Sequence, residues 1–109
     1  MLYIGINTQF TATHHWPDCP FDEVAFLRNP HRHVFHVKMK WKVDHNDRNM
    51  EFIMVKNFVD KYLNKNYHLQ FLGAKSCEMI AEELGKEFDA DFVSVYEDNE
   101  NGAEYIREI

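Results

Sequence analysis

The chain has 109 residues, enough for one domain but not for two separate hydrophobic cores. Hydrophobic residues make up 45% of it and aromatic residues 15%, a composition that excludes an intrinsically disordered segment. The formal net charge is −6 and no cluster of Lys and Arg interrupts the acidic balance, so we expect no nucleic-acid partner.

Nothing in the sequence directs the chain to a membrane or a secretory compartment. The first residues, Met-Leu-Tyr-Ile-Gly-Ile, lack the basic region of a signal peptide, and no apolar run approaches the ~20 residues that span a bilayer. Cys19 and Cys77 are far apart in sequence, and in a chain without a leader they indicate free thiols. We therefore expect a cytoplasmic protein.

The first segment predicts a strand followed by a long loop. Residues 2–11 alternate tolerably, with Leu2, Ile4 and Ile6 on one side and Tyr, Gly and Asn between them. Residues 13–30 hold all three prolines and show no clean period, so we expect a loop there. A loop of this length inside a compact domain is usually functional.

The next segment predicts a second, longer strand. Residues 31–43 alternate between apolar positions such as Phe35 and Val37 and polar positions such as Lys38. One solvent-facing side is typical of an antiparallel sheet. The polar residues 44–49 predict a turn.

Two helices and then two short strands are predicted in the second half of the chain. Helical spacing of apolar residues and a capping serine, Ser76, define the helices, and alternation defines the strands. The spans are residues 51–64 and 76–88 for the helices, and 91–97 and 104–109 for the strands, with a turn at 98–102. The order β-β-α-α-β-β predicts a single domain over residues 1–109, of α+β class, with an antiparallel sheet.

Histidines form the main chemical feature of the sequence. His31 and His33 are two apart on a predicted strand, so both side chains project from one face. Such a pair can supply two ligands of a zinc site, which needs about four and in catalytic sites leaves one to water or substrate. A third would come from His14 or His15, just past the first strand, whereas His36 points to the opposite face. The alternative is a set of surface histidines without metal.

Four motifs resemble those of the 6-pyruvoyl-tetrahydropterin synthase family. Residues 10–14, Phe-Thr-Ala-Thr-His, resemble its Phe-Ser-Ala-Ser-His, and residues 29–35, Asn-Pro-His-Arg-His-Val-Phe, resemble its Asn-Gly-His-Gly-His-Asn-Tyr. Residues 76–81, Ser-Cys-Glu-Met-Ile-Ala, are similar to Thr-Ser-Glu-Asn-Leu-Ala at the start of its second helix. Residues 95–101, Val-Tyr-Glu-Asp-Asn-Glu-Asn, are similar to Val-Tyr-Glu-Thr-Asp-Asn-Asn near its C-terminus.

This resemblance implies a fold, a metal and a ligand. The fold is the tunnelling fold (T-fold), a four-stranded antiparallel sheet with two helices on one face. The zinc ligands of the family correspond to His14, His31 and His33, which leaves His15 either as a residue that supports a ligand from outside or as a surface residue. The family glutamate that anchors the pterin corresponds to Glu97. Family pockets lie between subunits, which implies a homo-oligomer, commonly a hexamer of two stacked trimers.

The residues that move protons in the family do not match. Residues 25–30, Ala-Phe-Leu-Arg-Asn-Pro, occupy the window of its catalytic Cys, and Arg28 stands where one subgroup has Glu. The Leu-Asp-His motif after the first helix is also missing, with residues 63–65, Leu-Asn-Lys, in its place. A retained metal site without the usual base makes ordinary synthase activity doubtful.

Candidates for a base that replaces the missing one lie in the segments that flank the histidine pair. Cys19 and Glu23 lie in the loop before it, and His45 and Asp47 in the turn after it. The alternative for Cys19 is a plain loop thiol, and the alternative for Glu23 is a solvated charge. For His45 and Asp47 the alternative is a turn that is polar and nothing more. Cys77, at the start of a helix, either has a lowered pKa or packs as a small apolar residue.

The sequence therefore predicts a zinc-dependent protein acting on a pterin- or purine-like small molecule, with lyase-type chemistry and a non-standard base. The alternative is a catalytically inactive module that binds zinc and the heterocycle. A group able to take a proton near the metal would favour the enzyme.

Overall fold

The fold was established from a computed structural model that describes residues 1–108. The elements are, in chain order, β1 (Leu2–His14), β2 (His31–Val43), α1 (Phe52–Asn66), α2 (Cys77–Glu87), β3 (Phe92–Glu97) and β4 (Asn101–Ile106). The four strands form one antiparallel sheet in the order β1-β2-β3-β4. The predicted α+β class and the four-stranded antiparallel sheet are confirmed.

The hairpin of β1 and β2 is the longest unit of the sheet. Leu2 pairs with Val43 at one end and His14 pairs with His31 at the other. The predicted span of β2 is confirmed, whereas the predicted end of β1 at residue 11 was wrong by three residues. The strand continues because Ala12 and His14 still alternate into the buried side.

The loop between β1 and β2 is shorter and more ordered than predicted. It contains a short 3-10 helical stretch, Asp22–Arg28, which is kinked at Val24. The backbone N–H of Trp16 donates to the carbonyl of Leu27 at 2.6 Å and closes the base of the loop. This bond holds the two ends of the loop together just before the start of β2.

Both helices have side-chain caps that explain where they begin. The Glu51 carboxylate accepts from the N–H of Ile53 at 2.7 Å, and the Ser76 hydroxyl accepts from the N–H of Met79 at 3.1 Å. These bonds satisfy donors that the helix itself leaves free. The predicted helices are confirmed, and α1 extends two residues beyond its predicted end to Asn66.

The last strand begins earlier than predicted. The turn after β3 occupies only residues 98–100, so β4 begins at Asn101 rather than 104. It ends at Ile106, which pairs with Phe92, the first residue of β3, so beyond it β3 offers no further partner. Ile109, at the predicted end, lies outside the described residues.

The two faces of the sheet differ in character. One face packs against both helices in a single cluster of buried side chains, with Phe35, Met39, Val93 and Ile80 fully excluded from solvent. The opposite face is polar, with the lysines of β2 exposed. Among the described residues, no helix is both long and apolar enough to cross a bilayer.

One close approach of backbones occurs where β4 meets β3. A Cβ atom placed on Gly102 would overlap the backbone carbonyl of Val95 and lie 2.6 Å from the Cα of Tyr96. Only glycine lets β4 lie this near to β3. Gly102 follows Asp98 by four residues in the sequence. The close contact lies near the end of β3 that carries Glu97.

Candidate metal centre

Three histidines and one glutamate meet where the buried face of the sheet ends. His14 is the last residue of β1 and pairs with His31, the first residue of β2, while His33 pairs with Ala12. Glu97 ends β3 and pairs with Phe35. All four side chains lie on the core side, because each is an even number of positions from a buried residue of its strand, such as Ala12, Phe35 or Val95. The apolar core thus gives way to a polar cluster.

The Nδ1 atom of each histidine is engaged by an acceptor outside the cluster. His14 Nδ1 lies 2.7 Å from the carbonyl of Lys75, and His31 Nδ1 lies 2.9 Å from the carbonyl of Asn29. His33 Nδ1 lies 2.6 Å from Asp98 Oδ2. A carbonyl or carboxylate acceptor places the ring proton on Nδ1. Each neutral ring then keeps a free electron pair on Nε2.

The Nε2 atoms face one another and fit a metal ion. Those of His14 and His31 are buried and make no hydrogen bond of acceptable geometry. One potential ligand atom from each of His14, His31, His33 and Glu97 lies within 4.8 Å of the others. Imidazole nitrogens held by outer carbonyl and carboxylate acceptors are the usual environment of zinc ligands. The donor set and its outer partners therefore fit zinc.

The Glu97 carboxylate lies against the histidines. Its Oε2 atom is 2.7 Å from His14 Nε2 and 3.5 Å from His33 Nε2, and its Oε1 atom is 3.3 Å from the amide nitrogen of Asn101. A carboxylate oxygen facing an unprotonated Nε2 requires a proton or a cation between them. His14 holds the pKa of Glu97 below its ordinary value, despite burial. Burial lowers the pKa of His14, but the Glu97 carboxylate and the Lys75 carbonyl outweigh it and raise that pKa.

A cleft opens beside the cluster. Its volume is about 500 Å³, within the roughly 300–1,000 Å³ typical of small-molecule sites. Trp16, Leu27 and Met79 form apolar walls, and His14, His31 and Glu97 lie at one side. Trp16 is 41% exposed and lines this cleft, so it is a wall residue and not part of the core.

The structure does not bring the two candidate bases of the loop to the cluster. Cys19 is buried within its own loop, with its sulfur 3.7 Å from the carbonyl of Phe21 and 3.9 Å from that of Val24. Glu23 is exposed on the 3-10 stretch. Neither lines the cleft.

The other two candidate bases lie at the opposite end of the sheet. His45 and Asp47 follow the last residue of β2, whereas His31 is its first. Thirteen strand residues at ~3.3 Å each separate the two ends by about 40 Å. Asp47 pairs with Arg48 next to it. Within one chain neither group can act at the cluster.

Cys77 is buried at the start of α2 and lines the cleft. Burial, with further contributions from Glu97 and Glu78, raises the pKa of its thiol to about 12. Of the two alternatives for this residue, its burial favours the packed thiol over a lowered pKa. The helix N-terminus does not overcome desolvation and two nearby carboxylates.

His36 and His15 are not part of the cluster. His36 points to the polar face of the sheet, as predicted. His15 lies at the cleft, with its ring 5.0 Å from that of Phe71. The outer acceptors at Lys75, Asn29 and Asp98 were not predicted.

Neither protein-family models nor curated proteins match this sequence. Solved structures do match. The 6-pyruvoyl tetrahydropterin synthase of Caenorhabditis elegans is similar at 16% identity with a TM-score of 0.73, over 98% of this chain and 96% of that one. The synthase of Plasmodium falciparum is similar at 15% identity with a TM-score of 0.71, over 99% and 98%.

A third similar structure is a catalytic-residue variant of the Plasmodium vivax synthase, at 15% identity with a TM-score of 0.67 over the full length of both chains. The similarity thus covers nearly the whole of each chain. At such low identity it establishes the arrangement of the backbone. The chain has the fold of the 6-pyruvoyl tetrahydropterin synthases.

Proposed function

We propose that this chain is a zinc-dependent protein resembling 6-pyruvoyl-tetrahydropterin synthase that acts on a pterin- or purine-like small molecule. The observation that carries the proposal is the arrangement of His14, His31 and His33, whose Nδ1 atoms are held from outside while their Nε2 atoms converge. The cleft beside them has the volume of a heterocycle site.

Zinc held by three neutral imidazoles would supply Lewis-acid polarisation of a substrate oxygen. The chain's own residues contribute orientation and shape. The outer acceptors at Lys75, Asn29 and Asp98 hold the rings, and the apolar walls of the cleft cover the flat faces of a heterocycle. Lyase-type chemistry needs, in addition, a group that removes a proton.

Glu97 is the proposed reader of the heterocycle. A carboxylate can accept from a ring N–H and an exocyclic amine together, as a bidentate charge-assisted pair. The lowered pKa of Glu97 keeps the carboxylate ionised for this task. In the observed rotamer Oε2 faces the histidines, so a ligand would compete with them for this oxygen.

A second candidate, a catalytically inactive zinc-containing module that binds the heterocycle, is favoured by the placement of the proposed bases. Cys19, Glu23, His45 and Asp47 lie away from the cluster, and burial raises the pKa of the Cys77 thiol. His15 and Glu78 also line the cleft and are the groups left for an enzymatic role.

We expect turnover of 7,8-dihydroneopterin triphosphate near background together with measurable pterin binding. General acid–base groups typically contribute ~10²–10⁴ in rate, and the family's are missing here. A product assay and calorimetric titration with a pterin test both parts. Glu97→Gln should weaken binding at least tenfold, since a bidentate charge-assisted pair is lost.

Glu100→Gln, in the exposed turn after β3, is the matched control and should bind as the unaltered chain does. Binding that ignores Glu97→Gln would remove the assignment of Glu97 as reader. Efficient formation of the pyruvoyl product would show that the chain is an ordinary synthase and that a residue set aside above is its base.

We further propose a closed homo-oligomer, a hexamer of two stacked trimers. Both edge strands, β1 and β4, have unpaired backbone groups, and unprotected edges invite pairing with another chain. Large apolar side chains on α1, such as Phe58 at 66% exposure, are also available for burial against another chain. Light scattering on untagged protein should give a mass several times that of one chain. A stable monomer at micromolar concentration would rule this out.

A further inference from the structure

A second polar cluster lies on the helical side of the fold, outside the histidine centre. Lys75, in the segment before α2, places its ammonium 2.8 Å from Glu83 Oε1 on α2. The same oxygen accepts from the hydroxyl of Tyr67 at 2.6 Å, and the ammonium lies 5.7 Å from the centre of the Tyr67 ring. The three side chains form one closed network, here called the Lys75 anchor.

The anchor is more than a surface ion pair. Tyr67 is 3% exposed, so its hydroxyl depends on Glu83 for a partner. Burial raises the pKa of Tyr67 well above its usual range, which keeps the hydroxyl a donor. Burial also raises the pKa of Glu83, but the bonds from Lys75 and Tyr67 outweigh it and lower that pKa. Glu83 is therefore an ionised acceptor shared by two donors.

The backbone of Lys75 connects this network to the metal centre. Its carbonyl is the acceptor that lies 2.7 Å from His14 Nδ1. The segment before it is tied to β1, because Leu72 N–H donates to the Thr13 carbonyl and His15 N–H donates to the Gly73 carbonyl. The carbonyl is thus fixed by β1 on one side and by the Lys75 side chain on the other.

We infer that Glu83 is a positioning residue for the metal centre: it holds Lys75, whose carbonyl sets the orientation and tautomer of His14. This inference rests on the proposed zinc function. Outer partners that hold a metal-binding imidazole typically affect metal affinity 10–100-fold. Glu83 acts one contact further out, so its removal should have an effect at the lower end of that range.

The experiment compares Glu83→Ala, Glu83→Gln and Glu82→Ala. Glu82 is the neighbouring glutamate on α2, is exposed, and pairs with Lys86 at 3.6 Å, so it is a matched control. Zinc affinity is measured by competition with a chromophoric chelator. Glu83→Ala should bind zinc about tenfold more weakly, Glu83→Gln should recover most of the affinity because it keeps an acceptor, and Glu82→Ala should be unchanged.

A second readout does not depend on bound metal. Long-range ¹H–¹⁵N spectra of the metal-free, ¹⁵N-labelled protein at fixed pH report which nitrogen of His14 carries the proton. The unaltered chain should carry it on Nδ1, and Glu83→Ala should shift population to Nε2. Thermal unfolding curves identify a temperature at which each variant is folded, and the spectra are compared at that temperature. Lys75→Met, which keeps the backbone carbonyl, replaces Glu83→Ala if that variant does not fold.

The outcomes separate the two proposals. A Glu83→Ala protein with unchanged zinc affinity and an unchanged His14 spectrum would overturn the positioning role, as would equal losses in Glu83→Ala and Glu82→Ala. A change in the His14 tautomer in a chain that binds no zinc would support the positioning role and contradict the zinc function.

Discussion

Replacing His33 with alanine should yield a folded protein that has lost nearly all of its zinc. The unaltered chain should hold about one zinc ion, since three convergent Nε2 atoms and an open position make one site. Removing one of them leaves two imidazoles, and Glu97 could complete the set only by giving up its proposed contact with the heterocycle, so zinc should be held much more weakly. His33 has a side chain that is 22% exposed, so its loss should not disturb the core. Elemental analysis after dialysis measures the metal.

The same strand provides the control. His36→Ala removes an imidazole from the opposite face of β2 and should leave zinc content unchanged. His31→Ala should behave like His33→Ala, because His31 supplies another of the ligand atoms of the cluster. Circular dichroism establishes that each variant is folded. Full zinc occupancy in both His31→Ala and His33→Ala would eliminate the site.

Replacing Phe35 with alanine should cost about 3–5 kcal/mol in the free energy of unfolding. Phe35 is 0% exposed and stacks on Phe10 with ring centres 5.0 Å apart. Its ring also contacts those of His14 and His33 at 5.2 and 5.9 Å between centres. Such a loss is a large part of the roughly 5–15 kcal/mol that stabilises a domain, and zinc affinity should fall with it.

Denaturant unfolding of the metal-free protein measures this effect at fixed protein concentration, since association would otherwise shift the midpoint. Phe26→Ala, at a site 66% exposed on the 3-10 stretch, serves as the comparison and should change stability little. A Phe35→Ala protein within about 1 kcal/mol of the unaltered chain would show that the core closes around the missing ring.

The sequence predicts most elements of this fold because their alternation and caps are local. It fails at strand ends, which depend on pairing. β1 continues to His14 because β2 lies beside it there, and β4 begins at Asn101 because Glu97 is its partner. Neither pairing is visible in the residues themselves, because the polar side chain of Thr13 is as compatible with a loop as with a strand.

Some residues of the site could be predicted from the sequence and others could not. His14, His31, His33 and Glu97 stand in motifs, and the structure brings them together. The acceptors at Lys75 and Asn29 are backbone carbonyls, which every residue has, so no sequence pattern identifies them. Asp98 offered a signal, since a carboxylate next to Glu97 must lie near the same strand end. Within one chain the structure places the four candidate bases away from the cluster, because sequence distance from the histidine pair does not measure spatial distance.

Gly102 shows how mutational tolerance and chemistry can diverge in this molecule. Any side chain there would overlap the carbonyl of Val95, so every substitution must push β4 away from β3. Since β3 ends in Glu97, such a displacement would disturb the centre without removing a single ligand. Invariance of position 102 among relatives would therefore record a limit on interstrand spacing, and ranking residues by invariance alone would mistake that limit for a role in binding.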